Sequence, residues 1–152
     1  MFSLIITIVS IALVVALVAA TMYHGGDTLT QGRVTADAAA FVSGAQQVGG
    51  AATMYLSLEG SAPADVAALV TKSYLASAPV VKGDALSLAK DTAGHNIVKS
   101  ANVSDAVCEQ INKSAGVAAA KQKTAAEGDF ASLAYGCVIG ATDAENTFQF
   151  KY

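Results

Sequence analysis

The chain has no tryptophan, two prolines and two cysteines in 152 residues. Charge is also scarce, with Asp, Glu, Lys and Arg together making up 14% of the chain, against about a quarter in ordinary soluble domains. Each shortage excludes something. The nine Lys and Arg are scattered singly and the net charge is −3, so no basic patch exists to meet nucleic-acid phosphates. Two cysteines with no CxxC and no His-x-x-x-His partner make a poor metal site. The first proline is Pro63, so no proline interrupts a helix before it.

The scarcest charge is at the start. From Met1 to Gly26 there is no Asp, Glu, Lys or Arg, and the only titratable side chains are Tyr23 and His24. The run Phe2–Ala20 is almost wholly Leu, Ile, Val and Ala. As a helix, Met1–Tyr23 would reach about 34 Å at roughly 1.5 Å per residue, enough for a hydrocarbon core of about 30 Å. A cleaved secretory signal would show a basic n-region and a shorter apolar stretch. This run has neither, so a retained membrane helix is expected. With Arg33 the first cation, the positive-inside rule has little to act on. Removal of a short basic leader, leaving Met1 as the mature terminus, would explain that.

Two adjacent glycines, Gly25 and Gly26, follow. Each costs a helix about 1 kcal/mol relative to Ala, so a kink or melted turn is expected there. Beyond it, Phe41, Ala45, Val48, Ala52 and Tyr55 recur at helical spacing and predict an amphipathic helix to about Leu58. Gly60 and Pro63 end it. Val66, Leu69, Val70 and Tyr74 mark a short helix, and Ser104–Asp105 opens another that Gly116 stops. Ile97–Val98, the alternating Leu133, Tyr135, Cys137 and Ile139, and the alternating Phe148, Phe150 and Tyr152 predict strands. Lys121–Gly128 is polar and predicts a loop. The expected fold is α+β, a long N-terminal helix and a small antiparallel-sheet head. Its expected division is residues 1–26 as a transmembrane or filament-core helix, 27–60 as an amphipathic helix, and 61–152 as the globular head.

At this point the residues resemble a known pattern. The helix closes on Met54–Tyr55–Leu56–Ser57–Leu58–Glu59–Gly60, and Pro63, Leu69–Val70, Tyr74–Leu75 and Pro79 follow. This is similar to type IV pilins and pseudopilins. Cys108–Glu109–Gln110–Ile111–Asn112 with Tyr135–Gly136–Cys137 looks most like the type IVb branch. The resemblance implies a structural subunit, not an enzyme and without cofactor. It would sit in the bacterial inner membrane, then be lifted by pilus assembly machinery into an extracellular homopolymer on the cell surface. Such filaments serve adhesion, motility, conjugation or uptake, meeting host cells, recipient cells, DNA or phage. The alternatives are a pseudopilin of a type II secretion or DNA-uptake machine and, from another class, a membrane-tethered binding module. The resemblance also implies a processed, N-methylated Met1. In one respect the chain departs from it: Ile5 stands where these proteins carry a glutamate. Ser3, Thr7 or Ser10, or plain shape packing, would have to set the register of one helix on the next.

Candidate chemistry is thin. Cys108 and Cys137, in an extracytoplasmic head, are expected to form a disulfide. The pilin resemblance implies the same pair. The competing reading pairs His95 with Cys108 as a nucleophile. His24 beside the glycines is a weak metal ligand, and Asp129, Asp143 and Glu145 lack the alternating spacing of a calcium loop. Asn102–Val103–Ser104 matches a three-residue glycosylation sequon.

Overall fold

The computed structural model describes residues 2–152, apart from the side chains of Phe2 and residues 23–28. Met1, the expected mature terminus, lies outside the described residues. The chain divides into two compact units, Met1–Arg33 and Val34–Tyr152. Helix α1 is Phe2–Glu59 and contributes to both. The helix runs through Gly25 and Gly26, where a kink or melted turn is expected. No proline stands near the pair to interrupt the helix. Finer geometry at residues 23–28 lies outside the description.

In the first unit every large apolar side chain from Leu4 to Val18 is half or more exposed. Ser3–Met22 is long and apolar enough to cross a membrane, a test that a signal sequence also passes.

In the second unit α1 acts as a core helix. Ala38, Phe41, Ala45, Val48 and Ala52 are buried, and Tyr55 is half-buried. These are the positions that the helical period selects. Two glycines have a further role. A Cβ at Gly49 would stand 3.1 Å from the Tyr152 Cβ and 3.3 Å from the Phe150 ring. At Gly44 it would meet Leu86 and Val81 at 3.2 Å. The glycines weaken the helix locally but let the sheet and the β-hairpin come close.

Helix α2, Val66–Thr71, starts on Asp65, whose carboxylate accepts from the Ala68 N–H at 2.7 Å. It buries Val66 and Leu69, and Tyr74 beyond it meets Tyr55 edge-on, ring centroids 5.4 Å apart. Strands β1, Val80–Val81, and β2, Asp84–Ala85, form a two-stranded hairpin. Its turn holds Lys82 at φ 54°, where the ammonium reaches Asp37 at 2.6 Å.

The main sheet is antiparallel, built from β3, Ser87–Lys90, β4, Asn96–Ser100, β5, Tyr135–Val138, and β6, Thr147–Lys151. Its order is β3-β4-β6-β5, so the last strand of the chain is internal. Phe148 on β6 is fully buried and meets Phe41 of α1 at 5.8 Å between centroids. Helix α3, Asp105–Ala115, packs on β5 and ends at Gly116 with φ 89°, a left-handed position that suits glycine.

Two expectations need correction. The region around 121–128 is not a plain loop: 3-10 turns at Ala119–Lys121 and Glu127–Phe130 flank Ala125, and with Val117 they form a small second core around Phe130. That core alters β5. The alternation of Leu133, Tyr135, Cys137 and Ile139 predicts a strand with one buried face, yet Gly136 and Cys137 are both buried, because the Phe130 ring lies directly over Gly136.

Candidate functional site

Two features stand out for function: the apolar segment of α1 and the cross-linked heart of the head. They are treated separately.

The hydroxyls of Thr7, Ser10 and Thr21 in the apolar segment are satisfied by the segment's own backbone. The Thr7 hydroxyl donates to the carbonyls of Ser3 and Leu4 at 3.2 and 2.8 Å. Ser10 donates to Ile6 at 2.8 Å, and Thr21 to Leu17 and Val18 at 3.1 and 2.9 Å. Such back-bonding is the usual resort of hydroxyls in an apolar setting. Donors already used in this way are weak candidates for register devices between copies. Ile5 is 58% exposed, one more aliphatic side chain on the segment's surface. The segment therefore presents no group that hydrocarbon would penalise heavily.

In the head, Cys108 on α3 and Cys137 on β5 form a disulfide, Cα atoms 5.3 Å apart and both residues fully buried. One turn beyond Cys108, Asn112 is also fully buried. Its side-chain oxygen accepts from the Cys137 N–H at 2.8 Å, and its amide donates to the Cys137 carbonyl at 2.9 Å and the Gln122 carbonyl at 3.3 Å. β5 is an edge strand, and Asn112 acts there as one residue of a missing neighbour. Asn146, the third buried polar residue with Ser100, works similarly. It donates to the Val103 carbonyl and Asp105, and accepts from the Gly140 N–H, all at 2.7–2.8 Å. Sequence reasoning missed both asparagines. A signal existed for one of them, since Asn112 stands four residues after Cys108 and shares its helix face.

The remaining candidates are structural. Cys108 is bonded to Cys137, which removes it as a nucleophile for His95. His95 instead donates its N–H to Asp91 at 2.7 Å and sets its ring Nδ1 2.8 Å from the same carboxylate, closing the β3–β4 turn. Burial pushes the Asp91 carboxyl up, but the side-chain and backbone hydrogen bonds from His95 outweigh this and hold it below the usual carboxylate range. Asp129 is held low chiefly by Lys121, and also by the Ala126 N–H. Asp143 accepts from the Asp105 N–H at 3.0 Å and Glu145 from the Ala141 N–H at 2.8 Å. Among the described residues no group of three His, Cys, Asp or Glu is placed to hold a metal ion. The side chain of His24 lies outside the described residues.

No protein-family model matches the chain, and neither does any curated protein or solved structure.

Proposed function

We propose that the chain is a structural subunit of a type IV pilus-like extracellular filament, assembled by bundling of Ser3–Met22 with the same segment of other copies. The observation that carries this reading is the pairing of two features on one chain. A 20-residue apolar helix has no buried residue. The same helix runs on into a disulfide-closed α+β head. Before assembly the segment lies in the inner membrane, and afterwards in a bundle of its own kind outside the cell. Both surroundings are apolar, so the transfer is close to balanced and an assembly machine can drive it either way.

Ile5 favours a second reading, a pseudopilin in a short secretion or uptake piston, because some pseudopilins also lack the acid. Electron microscopy of filaments sheared from the native source, with subunits identified by mass, tests both. The expected result is long helical fibres containing this chain. Recovery only as dispersed membrane protein would overturn filament assembly and favour a tethered binding module. Short, machine-bound assemblies would favour the pseudopilin.

A further inference from the structure

The chain contains two Asn-x-Ser triplets, Asn102–Val103–Ser104 and Asn112–Lys113–Ser114. The fold treats them oppositely. Asn112 is fully buried and its amide donates to two core carbonyls. A sugar there would displace the bonds that hold β5. Asn102 is exposed, at φ 57° in the loop between β4 and α3.

We infer that Asn102 is an acceptor for N-linked glycan, and that Asn112 is not. Several independent observations converge on it. Val103 is buried at 1% exposure and its carbonyl is held by Asn146, so the loop is pinned at its centre while Asn102 projects. Ser104 sits at the N-cap of α3, where a serine ordinarily bonds the helix backbone. Here its side chain makes no cap bond. The Asp105 N–H, at the first helical position that a serine cap does not serve, is met by Asp143 from a distant turn at 3.0 Å. The Ser104 hydroxyl is thus not needed by the helix, and the sequon requires a hydroxyl at that position. Asn102 and Ser104 line one recess of about 140 Å³, together with Asp84 and Lys82.

The Asn102 amide nitrogen donates to Asp84 at 3.2 Å. A primary amide has two N–H groups. One stays on Asp84 and the other is replaced. In the transfer, Nδ2 of Asn102 forms a bond to the anomeric carbon of a glycosyl phosphate or diphosphate donor. The bond from that carbon to the phosphate oxygen breaks, and the phosphate leaves with the bonding electrons. The displaced proton goes to a base on the transferring enzyme. The product amide keeps one N–H for Asp84, so the folded loop accommodates the modified residue. This inference needs the head outside the cytoplasm together with that donor and transferring enzyme, and it does not depend on filament assembly.

The test uses full-length chain from its native membranes, reduced, alkylated and cut with trypsin. Cleavage after Lys99 and Lys113 yields the peptide 100–113, which contains both asparagines. Fragmentation that preserves side-chain attachments assigns the site. The expected result is a glycan mass increment on Asn102 with Asn112 bare, retained in S104T and lost in N102Q and S104A. An unmodified native peptide, an increment on Asn112, or an increment surviving in S104A would each overturn the assignment. Glycan on dispersed protein would leave it standing while the filament reading fell.

Discussion

Asn112→Ala removes a side chain that stands in for a strand. The Cys137 N–H and C=O each lose their partner, at 2.8 and 2.9 Å. Both lie on the edge of β5 beneath α3 in a fully buried setting, so water does not readily replace the asparagine. Each orphaned backbone group costs about 1–3 kcal/mol, giving a loss of about 2–6 kcal/mol. For a unit the size of Val34–Tyr152, even the lower figure lowers the melting temperature by roughly 8 °C. Full-length protein in mild detergent, unfolded with guanidinium and followed by near-ultraviolet circular dichroism, gives the measurement. Asn112→Asp sharpens it. At neutral pH a carboxylate faces the Cys137 carbonyl with no hydrogen to donate, so this variant should be less stable than Asn112→Ala. Burial and the carbonyl raise its folded pKa above the unfolded value of about 3.9. The folded state then binds the extra proton, and stability rises as pH falls through the folded pKa. Once protonated, the group again offers one donor and one acceptor to Cys137. The gap between Asp and Ala variants should therefore close as the solution is acidified. If Asn112→Ala unfolds within about 0.5 kcal/mol of the parent, well below the loss expected for even one orphaned group, the asparagine does not hold the strand.

Replacing Cys108 and Cys137 together by Ala opens a loop of sequence separation 29 and should cost about 3–4 kcal/mol on the chain-entropy account. Thiol alkylation of native protein should find both sulfurs blocked until reductant is added. Phe148→Ala empties a fully buried site against Phe41 and should cost about 3–5 kcal/mol in the same unfolding assay. Gly49→Leu should be worse tolerated than Gly50→Leu, because only Gly49 has the C-terminal strand against it; the two melting temperatures decide. The lowered Asp91 pKa contributes stability that is present above the ordinary carboxyl pKa and lost as pH falls through the folded value. Asp91→Asn should accordingly flatten the acid limb of the stability profile, and an unchanged slope would refute the His95 interaction.

Local pattern made the helices legible and topology hid the rest. Phe41, Ala45, Val48 and Ala52 could be assigned to the core from spacing alone, because a helix repeats its environment every turn. The Gly60–Pro63 stop and the Gly116 cap are local chemistry and stand where the sequence placed them. The strands at Ile97–Val98 and Phe148–Phe150 were equally visible. Their order was not, since nothing near Phe148 says that β6 inserts between β4 and β5. Phe130 was hidden for the same reason. Its partner Gly136 is a residue with no side chain to register in any periodicity, and the surrounding polar residues disguise a buried ring. Gly44 and Gly49 are equally silent in a helical period, though each lies against residues far along the chain.

On the filament reading, the exchange of acid for Ile5 has a consequence for where specificity resides. A buried carboxylate would fix register sharply, because misplacing it leaves an unpaired charge in an apolar bundle. This helix has no such penalty to impose. Its acids are absent before Asp27, and Thr7, Ser10 and Thr21 already donate to their own backbone. Aliphatic surfaces slide past one another with small differences in energy, since burial of apolar area is non-directional. Register between copies is then left to shape along Ser3–Met22, to the Ser3 hydroxyl, or to polar contacts between heads. Helix and heads separate by substitution. Exchanging Ile and Val for Leu within Ser3–Met22 changes ridge shape while keeping apolarity, and exchanging exposed head residues such as Lys113 or Thr142 leaves α1 untouched. Altered helical rise with the first set alone places register in the helix. Altered rise with the second alone places it in the heads, and the apolar segment would then supply adhesion between copies without choosing their alignment.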